Sequence, residues 1–172
     1  MFKIGEKVVY PVHGAGIIEA IEQKEVLGEK RRYYILRLSV GELNVMVPVD
    51  TVDKIGMRPV SDDETLALVK DILQGEASPW EDNWNRRYRE NMDKIKSGDI
   101  CQLAEVVRNL MVRDLTRGLS AGEKKMLETS RKILLSEIVL AKEMPAEEAA
   151  DSLNRLFDGR RKDDSAPANA TK

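Results

Sequence analysis

The chain has very few of the residues from which metal and disulfide sites are built. Its 172 residues include one cysteine, Cys101, and one histidine, His13. A single cysteine cannot close a disulfide within the chain, and the scarcity of both residue types argues against a zinc site. A nucleophile built from the pair is formally available, but Cys101 lies beside Ile100 and Leu103 in an apolar pattern typical of a packed thiol. We therefore expect no metal, no cofactor and a reducing compartment.

The patterns of nucleotide-binding and acid–base sites are missing as well. The turn Gly14-Ala15-Gly16 lacks the rest of a phosphate loop or a dinucleotide fingerprint. The carboxylates are scattered along the predicted helices, where a solvated face explains them. We interpret the protein as a non-enzyme without a small-molecule substrate.

No apolar run approaches the length of a membrane span, and the start, MFKIGEK, contains no apolar signal segment. We expect a cytoplasmic protein with no membrane contact. The net charge is -2. Proteins that coat nucleic acid indiscriminately are strongly basic, so any nucleic-acid contact should be a local patch.

The pattern changes near Pro59 from strands to helices. Short runs of strand formers separated by glycine turns fill residues 3–58, which predicts a small β-barrel. Its last short strand is expected over residues 49–57, and Pro48 ends the preceding strand or marks an edge. Beyond Pro59, capped apolar stripes predict helices, the last of which ends at Gly159.

The sequence thus predicts an α+β protein in two domains. A β domain is expected at residues 1–60 and an all-α domain at residues 61–159. Residues 160–172 are polar and aperiodic, and we interpret them as a disordered tail.

Residues 80–96 hold both tryptophans and five basic side chains, and their helix has two possible starts. The segment SPWE, residues 78–81, reads as a capping box with proline at the first helical position. This early start places Trp84 on one buried stripe with Tyr88, where the indole is a core side chain.

The late start has Asp82 or Asn83 as the cap and puts Trp84 in the first turn. The ring then lies beside a helix N-terminus and the guanidinium groups of Arg86 and Arg87, all of which favour phosphate. Proteins use an apolar wedge of this kind to open a base step from the minor groove. The residues alone leave both starts open.

The whole pattern resembles the bacterial CarD/CdnL family of transcription regulators, from residue 3 to about residue 157. The first matching block alone would not suffice, because transcription-repair coupling factors carry a similar N-terminal module. The blocks, in chain order, are GEKVVYPVHG (5–14), NWNRRY (83–88), SGD (97–99), AEVVR (104–108) and RGLSAGEKKML (117–127).

The resemblance implies a Tudor-like β domain that binds the RNA polymerase β subunit. It also implies a helical domain that contacts promoter DNA at the upstream edge of the transcription bubble. The family's minor-groove wedge aligns with Trp84, which favours the late helix start. The expected DNA-binding residues are Trp84, Arg86, Arg87, Arg89, Lys94, Lys124 and Lys125.

The polymerase contact is expected on an edge strand over residues 43–47. Positions that are arginines in some relatives align with Lys24 and Met46, so Lys24 keeps the charge and Met46 excludes a salt bridge. The expected polymerase-binding residues are Lys24, Val45, Met46, Val47 and Pro48.

The predicted function is that of a monomeric transcription factor that binds RNA polymerase and stabilises the open promoter complex. It would associate with the nucleoid through the polymerase. The alternative is a Tudor-like adaptor that docks a different protein partner without contacting DNA.

Overall fold

A sheet comes first and helices follow in the computed structural model, which describes the backbone of residues 1–163 and the side chains of residues 1–160. Five antiparallel strands form one sheet in the order β4-β3-β2-β1-β5, so β4 and β5 lie at its edges. This arrangement confirms the predicted α+β class. The strands are β1 (Lys7–Tyr10), β2 (Gly14–Val26), β3 (Glu29–Leu38), β4 (Asn44–Pro48) and β5 (Arg58–Pro59).

Alternating side chains give the sheet one buried face. Tyr34 and Leu36 of β3 are fully buried there, together with Ile18 of β2 and Val47 of β4. The hydroxyl of Tyr34 accepts a hydrogen bond of 3.0 Å from the backbone N–H of Phe2, which satisfies a polar atom inside the core. The sheet therefore has its own core on one face, while the other face is covered by the helix Ala121–Lys142 at Val9 and Ala15 and is more open elsewhere.

The prediction of a strand over residues 49–57 is wrong. Residues Val49–Thr51 form a turn of 3-10 helix, and helix α1 (Val52–Ile55) follows. The hydroxyl of Thr51 donates to the carbonyl of Pro48 at 2.9 Å, a local bond that replaces a strand ladder. Gly56 then ends α1 in the left-handed conformation, and pairing resumes only at β5.

Four of the six helices that follow begin at a side-chain cap. The caps are Asp62, Asn83, Asp99 and Ser120, each of which accepts a backbone N–H of the first turn. The helices are α2 (Asp63–Gln74), α3 (Trp84–Lys96), α4 (Ile100–Thr116), α5 (Ala121–Lys142), α6 (Ala146–Arg155) and α7 (Asp158–Asp163). In the described part of the chain, no helix is long and apolar enough to cross a bilayer.

The last predicted helix is two helices, and it does not end at Gly159. Helix α6 stops at Arg155, and α7 then runs through Gly159 as far as Asp163. Buried Leu153 and Phe157 hold this corner against the helical core. The first residues of the predicted tail are thus helical, and residues 164–172 lie outside the described residues.

The sheet and helix α5 meet at a seam that is built around a buried carboxylate. Glu137 of α5 is 2% exposed and pairs with both terminal nitrogens of Arg58 in β5 at 2.8 Å. The same carboxylate accepts from the backbone N–H and the hydroxyl of Ser61, at 2.8 and 2.6 Å. Arg58 also donates its Nε–H to the carbonyl of Gly98 in the α3–α4 turn. These bonds tie the sheet to both α5 and the end of α3.

A second contact closes the other end of the seam. The hydroxyl of Ser136 in α5 accepts the backbone N–H of Ala15 at 2.9 Å. A Cβ on Gly14 would lie 2.9 Å from that oxygen, so only glycine allows the approach. The GEKVVYPVHG block thus contributes to the contact between the sheet and α5.

Candidate functional site

Helix α3 adopts the late start. The side chain of Asn83 accepts the backbone N–H of Arg86 at 3.1 Å and caps the helix. Trp84 is therefore the first helical residue, and 41% of its surface is exposed. A tryptophan of the buried stripe, as the early start implies, would not leave its ring open to this extent.

Three contacts hold the Trp84 ring in place. The ring stacks on Tyr88, one turn along α3, with centroids 5.0 Å apart and planes at 19°. Its indole N–H donates to the hydroxyl of Ser120, the cap of α5, at 3.1 Å. A Cβ on Gly122 would lie 3.3 Å from a ring carbon, so the first turn of α5 offers the ring a close backbone surface. The N-termini of α3 and α5 therefore converge on Trp84.

Arg87, one of the expected DNA contacts, is engaged in hydrogen bonds within the protein. Its guanidinium pairs with both oxygens of Glu123 at 2.9 and 3.0 Å, and it donates to the carbonyl of Glu81 at 2.6 Å. The Arg87 side chain is 11% exposed and that of Glu123 is 3% exposed. Turning Arg87 outward to a phosphate would leave a buried carboxylate without its partner. We therefore infer that Arg87 stabilises the site through its ion pair with Glu123.

The Arg87–Glu123 pair stays charged. The hydrogen bond from Arg87 is the main cause that holds the pKa of the Glu123 carboxyl below its ordinary value. Burial opposes this shift, and the hydroxyl of Ser120 supports it. The same pair raises the pKa of Arg87. In a capping box the carboxylate normally accepts the backbone N–H of the cap residue. Here the carboxylate of Glu123 instead accepts from the guanidinium of Arg87 in α3.

The other tryptophan, Trp80, packs within the protein. Trp80 is partly buried against the helical core, and the guanidinium groups of Arg87 and Arg113 lie over its ring, 4.2 and 4.3 Å from its centroid. Trp80 is therefore held by the helical core. The two tryptophans thus lie on either side of the Arg87–Glu123 pair, one covered and one open.

The remaining predicted DNA contacts are basic side chains with different degrees of engagement. The Arg86 side chain is 66% exposed and pairs with Glu90, one turn along α3, at 3.2 Å. Lys94 pairs with Glu105 of α4 at 3.0 Å and is half-buried. Arg89, Lys124 and Lys125 are exposed and form no ion pair with any described side chain. The two lysines lie in the first turns of α5, close in sequence to Ser120 and Gly122, which contact Trp84.

The predicted polymerase surface lies on the open face of the sheet. Met46 of the edge strand β4 is 42% exposed and lies opposite Ile35 of β3. Lys24 of β2 is exposed and lies opposite Arg31, four residues along β3 from Ile35. An even spacing along one strand keeps both pairs on the same face.

The residues around Met46 in β4 differ in how much of their side chains a binding partner could contact. Val45 is half-buried, and Pro48 is half-buried and lacks an N–H. Val47 is 1% exposed and belongs to the sheet core, so its side chain does not meet a partner at this edge. Of the predicted set, Lys24 and Met46 supply the exposed side chains.

Sequence reasoning missed Ser120 and Glu123 as members of the site. Their capping-box spacing predicts a helix start, and that start is present. The bonds to Trp84 and Arg87, both 36 residues away, carry no local signal.

Comparison with known proteins places both halves of the chain. Residues 2–61 match a family model described as CarD-like/TRCF RID domain, and residues 68–154 match one described as CarD, C-terminal domain. A putative transcription factor, YdeB of Bacillus subtilis (strain 168), is 46% identical over 142 residues, which are 83% of this chain and 93% of that protein. The solution structure of the 72-residue N-terminal domain of Myxococcus xanthus CarD is 37% identical, with a TM-score of 0.31; the match covers 34% of this chain and 79% of that one.

Proposed function

The chain belongs to the CarD family of transcription factors, and from this premise we propose that it binds RNA polymerase and stabilises the open promoter complex. In this proposal the sheet docks on the polymerase β subunit. Trp84 contacts promoter DNA at the upstream edge of the transcription bubble. The protein acts as a monomer.

The observation that carries the proposal is the exposed, well-held ring of Trp84. It projects where the N-termini of α3 and α5 converge, and both helix ends carry partial positive charge. Arg86, Lys124 and Lys125 add full charges nearby in the sequence. An apolar ring beside groups that favour phosphate suits a distorted duplex, where a base step can be opened from the minor groove.

The polymerase contact is proposed for the edge of the sheet. Strand β4 pairs on one side only, so its outer backbone groups are open to an added strand of a partner. Exposed Met46 supplies flexible apolar surface, and Lys24 supplies positive charge on the same face. The RID family model covers this domain, which supports a polymerase partner.

Two weak contacts suffice when they are linked. The polymerase places the factor, so the DNA contact needs little affinity of its own, which agrees with a net charge of -2. A ligand shifts the closed–open equilibrium only by its differential affinity for the two states. An aromatic contact worth about 1–3 kcal/mol, as for base stacking, would change the closed–open equilibrium constant by roughly 5- to 150-fold.

The lifetime of the open complex tests the proposal. We expect the wild-type chain to lengthen it after a competitor trap is added, and Trp84→Ala to abolish the effect while the variant stays folded and bound to polymerase. Leu68→Ala is the matched control, because Leu68 is another large exposed apolar side chain, at 53%.

Two results would count against the proposal. If Trp84→Ala lengthens the lifetime as much as the wild-type chain, the ring is not the DNA contact. If the chain fails to co-purify with polymerase, the adaptor alternative takes its place.

A further inference from the structure

The hydroxyl of Ser120 uses its full hydrogen-bonding capacity. A serine hydroxyl has one proton to donate and two lone pairs to accept with. Here the oxygen accepts the indole N–H of Trp84 at 3.1 Å and the backbone N–H of Glu123 at 3.2 Å. It donates its own proton to the Glu123 carboxylate at 3.0 Å. No hydrogen-bonding position of the hydroxyl remains for water, so the O–H bond is held in one orientation.

The group behind Ser120 is itself fixed. Glu123 is buried and held by two bonds from Arg87, whose guanidinium lies on the Trp80 ring. Ser120 also caps α5, a helix of 22 residues packed against α4 and the sheet. The oxygen that receives the indole N–H therefore belongs to the rigid body of the molecule.

The ring of Trp84 is restrained from other directions too. Tyr88 stacks on it, and Gly122 allows the backbone of α5 to approach its ring carbons. The N–H is the only polar group of an indole, and it is occupied within the chain. What the ring presents to solvent is therefore hydrocarbon in a single orientation.

We propose that Ser120 is a positioning residue that fixes the orientation of the Trp84 ring before DNA is bound. The inference rests on the proposed function. Without the bond the ring would sample other rotamers, and affinity falls in proportion to the fraction in the competent state. A ring already ordered loses less conformational freedom when it enters the duplex.

The bond can be observed directly in the free protein. The chain has two tryptophans and therefore two indole N–H signals in a proton–nitrogen spectrum, which Trp84→Phe assigns by deletion. We expect the Trp84 signal to shift and its exchange with water to accelerate in Ser120→Ala, while the Trp80 signal stays in place. Ser120→Thr keeps a hydroxyl and should restore the wild-type signal.

A double-mutant cycle tests the consequence for function. Ser120→Ala also removes the cap of α5, and this second effect is present in any background. We therefore compare its effect on the open-complex lifetime in the wild-type chain and in the Trp84→Phe background, where the indole N–H is already absent. We expect a roughly two- to tenfold shortening in the first, as for one lost hydrogen bond, and little change in the second.

Each result of the cycle decides the inference. Equal shortening in both backgrounds would assign the effect to the cap and overturn it. An unchanged or longer lifetime for Ser120→Ala in the wild-type chain would also overturn it. Failure of the proposed function is distinct, because Trp84→Ala would then leave the lifetime at its wild-type value.

Discussion

The stability of the seam between the sheet and α5 should depend on the buried charge of Glu137. The substitution Glu137→Gln keeps the shape of the side chain but replaces one oxygen with an N–H₂ group. Four donors converge on the carboxylate, two from Arg58 and two from Ser61. At least one of them would then face another donor, and Arg58 would lose its counter-charge.

The size of the effect follows from the burial of the pair. Removing one partner of a buried ion pair costs about 3–5 kcal/mol. The Arg58 side chain is 30% exposed, so water recovers part of the loss. We therefore expect Glu137→Gln to lower the free energy of unfolding by about 2–4 kcal/mol. For a chain of this length each kcal/mol corresponds to about 2–4 °C in Tm.

Chemical denaturation of the full chain measures this loss. Glu143→Gln is the matched control, because Glu143, at the end of α5, pairs with Lys7 of β1 across the same seam at 2.7 Å but is 77% exposed. Exposed pairs contribute little, so this variant should unfold almost as the wild type does. If Glu137→Gln loses no more stability than Glu143→Gln, the buried pair does not hold the seam.

Three further predictions concern the two contact surfaces and the acid range. Charge reversal at Arg86 and Arg89 should weaken association with promoter–polymerase complexes about equally at all sequences and flatten its salt dependence, whereas a sequence-selective loss would mean that they read bases. Met46→Glu should weaken polymerase binding in a pull-down at unchanged Tm, and a sharp fall in Tm would make Met46 a core residue. Arg87 depresses the pKa of Glu123, so the pair's stabilisation is fully present above the ordinary carboxyl pKa of about 4.3 and is lost as the pH falls through the lower folded value. The stability gap between wild type and Glu123→Gln should accordingly close in acid, and a pH-independent gap would contradict the depressed pKa.

Local signals in the sequence were sufficient for the parts of the fold that depend on neighbouring residues. The helix starts at Asp99 and Ser120 carry such a local signal, since a cap bonds within its own first turn. The edge position of β4 followed from its length and from Pro48. The exposure of Met46 was expected because the family resemblance aligns it with a polymerase-contact position.

The parts that sequence could not supply depend on partners far along the chain. Arg87 meets Glu123 across 36 residues, and Arg58 meets Glu137 across 79. A basic residue on a helix looks the same in sequence whether it faces a phosphate or a buried carboxylate. The run after β4 contains strand formers, but it is helical in the structure. The hydroxyl of Thr51 bonds to the carbonyl of Pro48 at its start, and Gly56 ends the helix in the left-handed conformation.

The seam also determines how far apart the two proposed contact surfaces are. Because Glu137 and Arg58 join the sheet to α5, and α5 holds Trp84 through Ser120, the sheet edge and the ring are set at one separation and one angle. On the proposed function, the protein then fixes the distance from its polymerase contact to the first opened base step. Each base pair advances the duplex by about 3.4 Å and rotates it by roughly 35°. A bubble that began one step further upstream or downstream would be out of register with the ring, so promoters would be distinguished by where they open more than by their sequence.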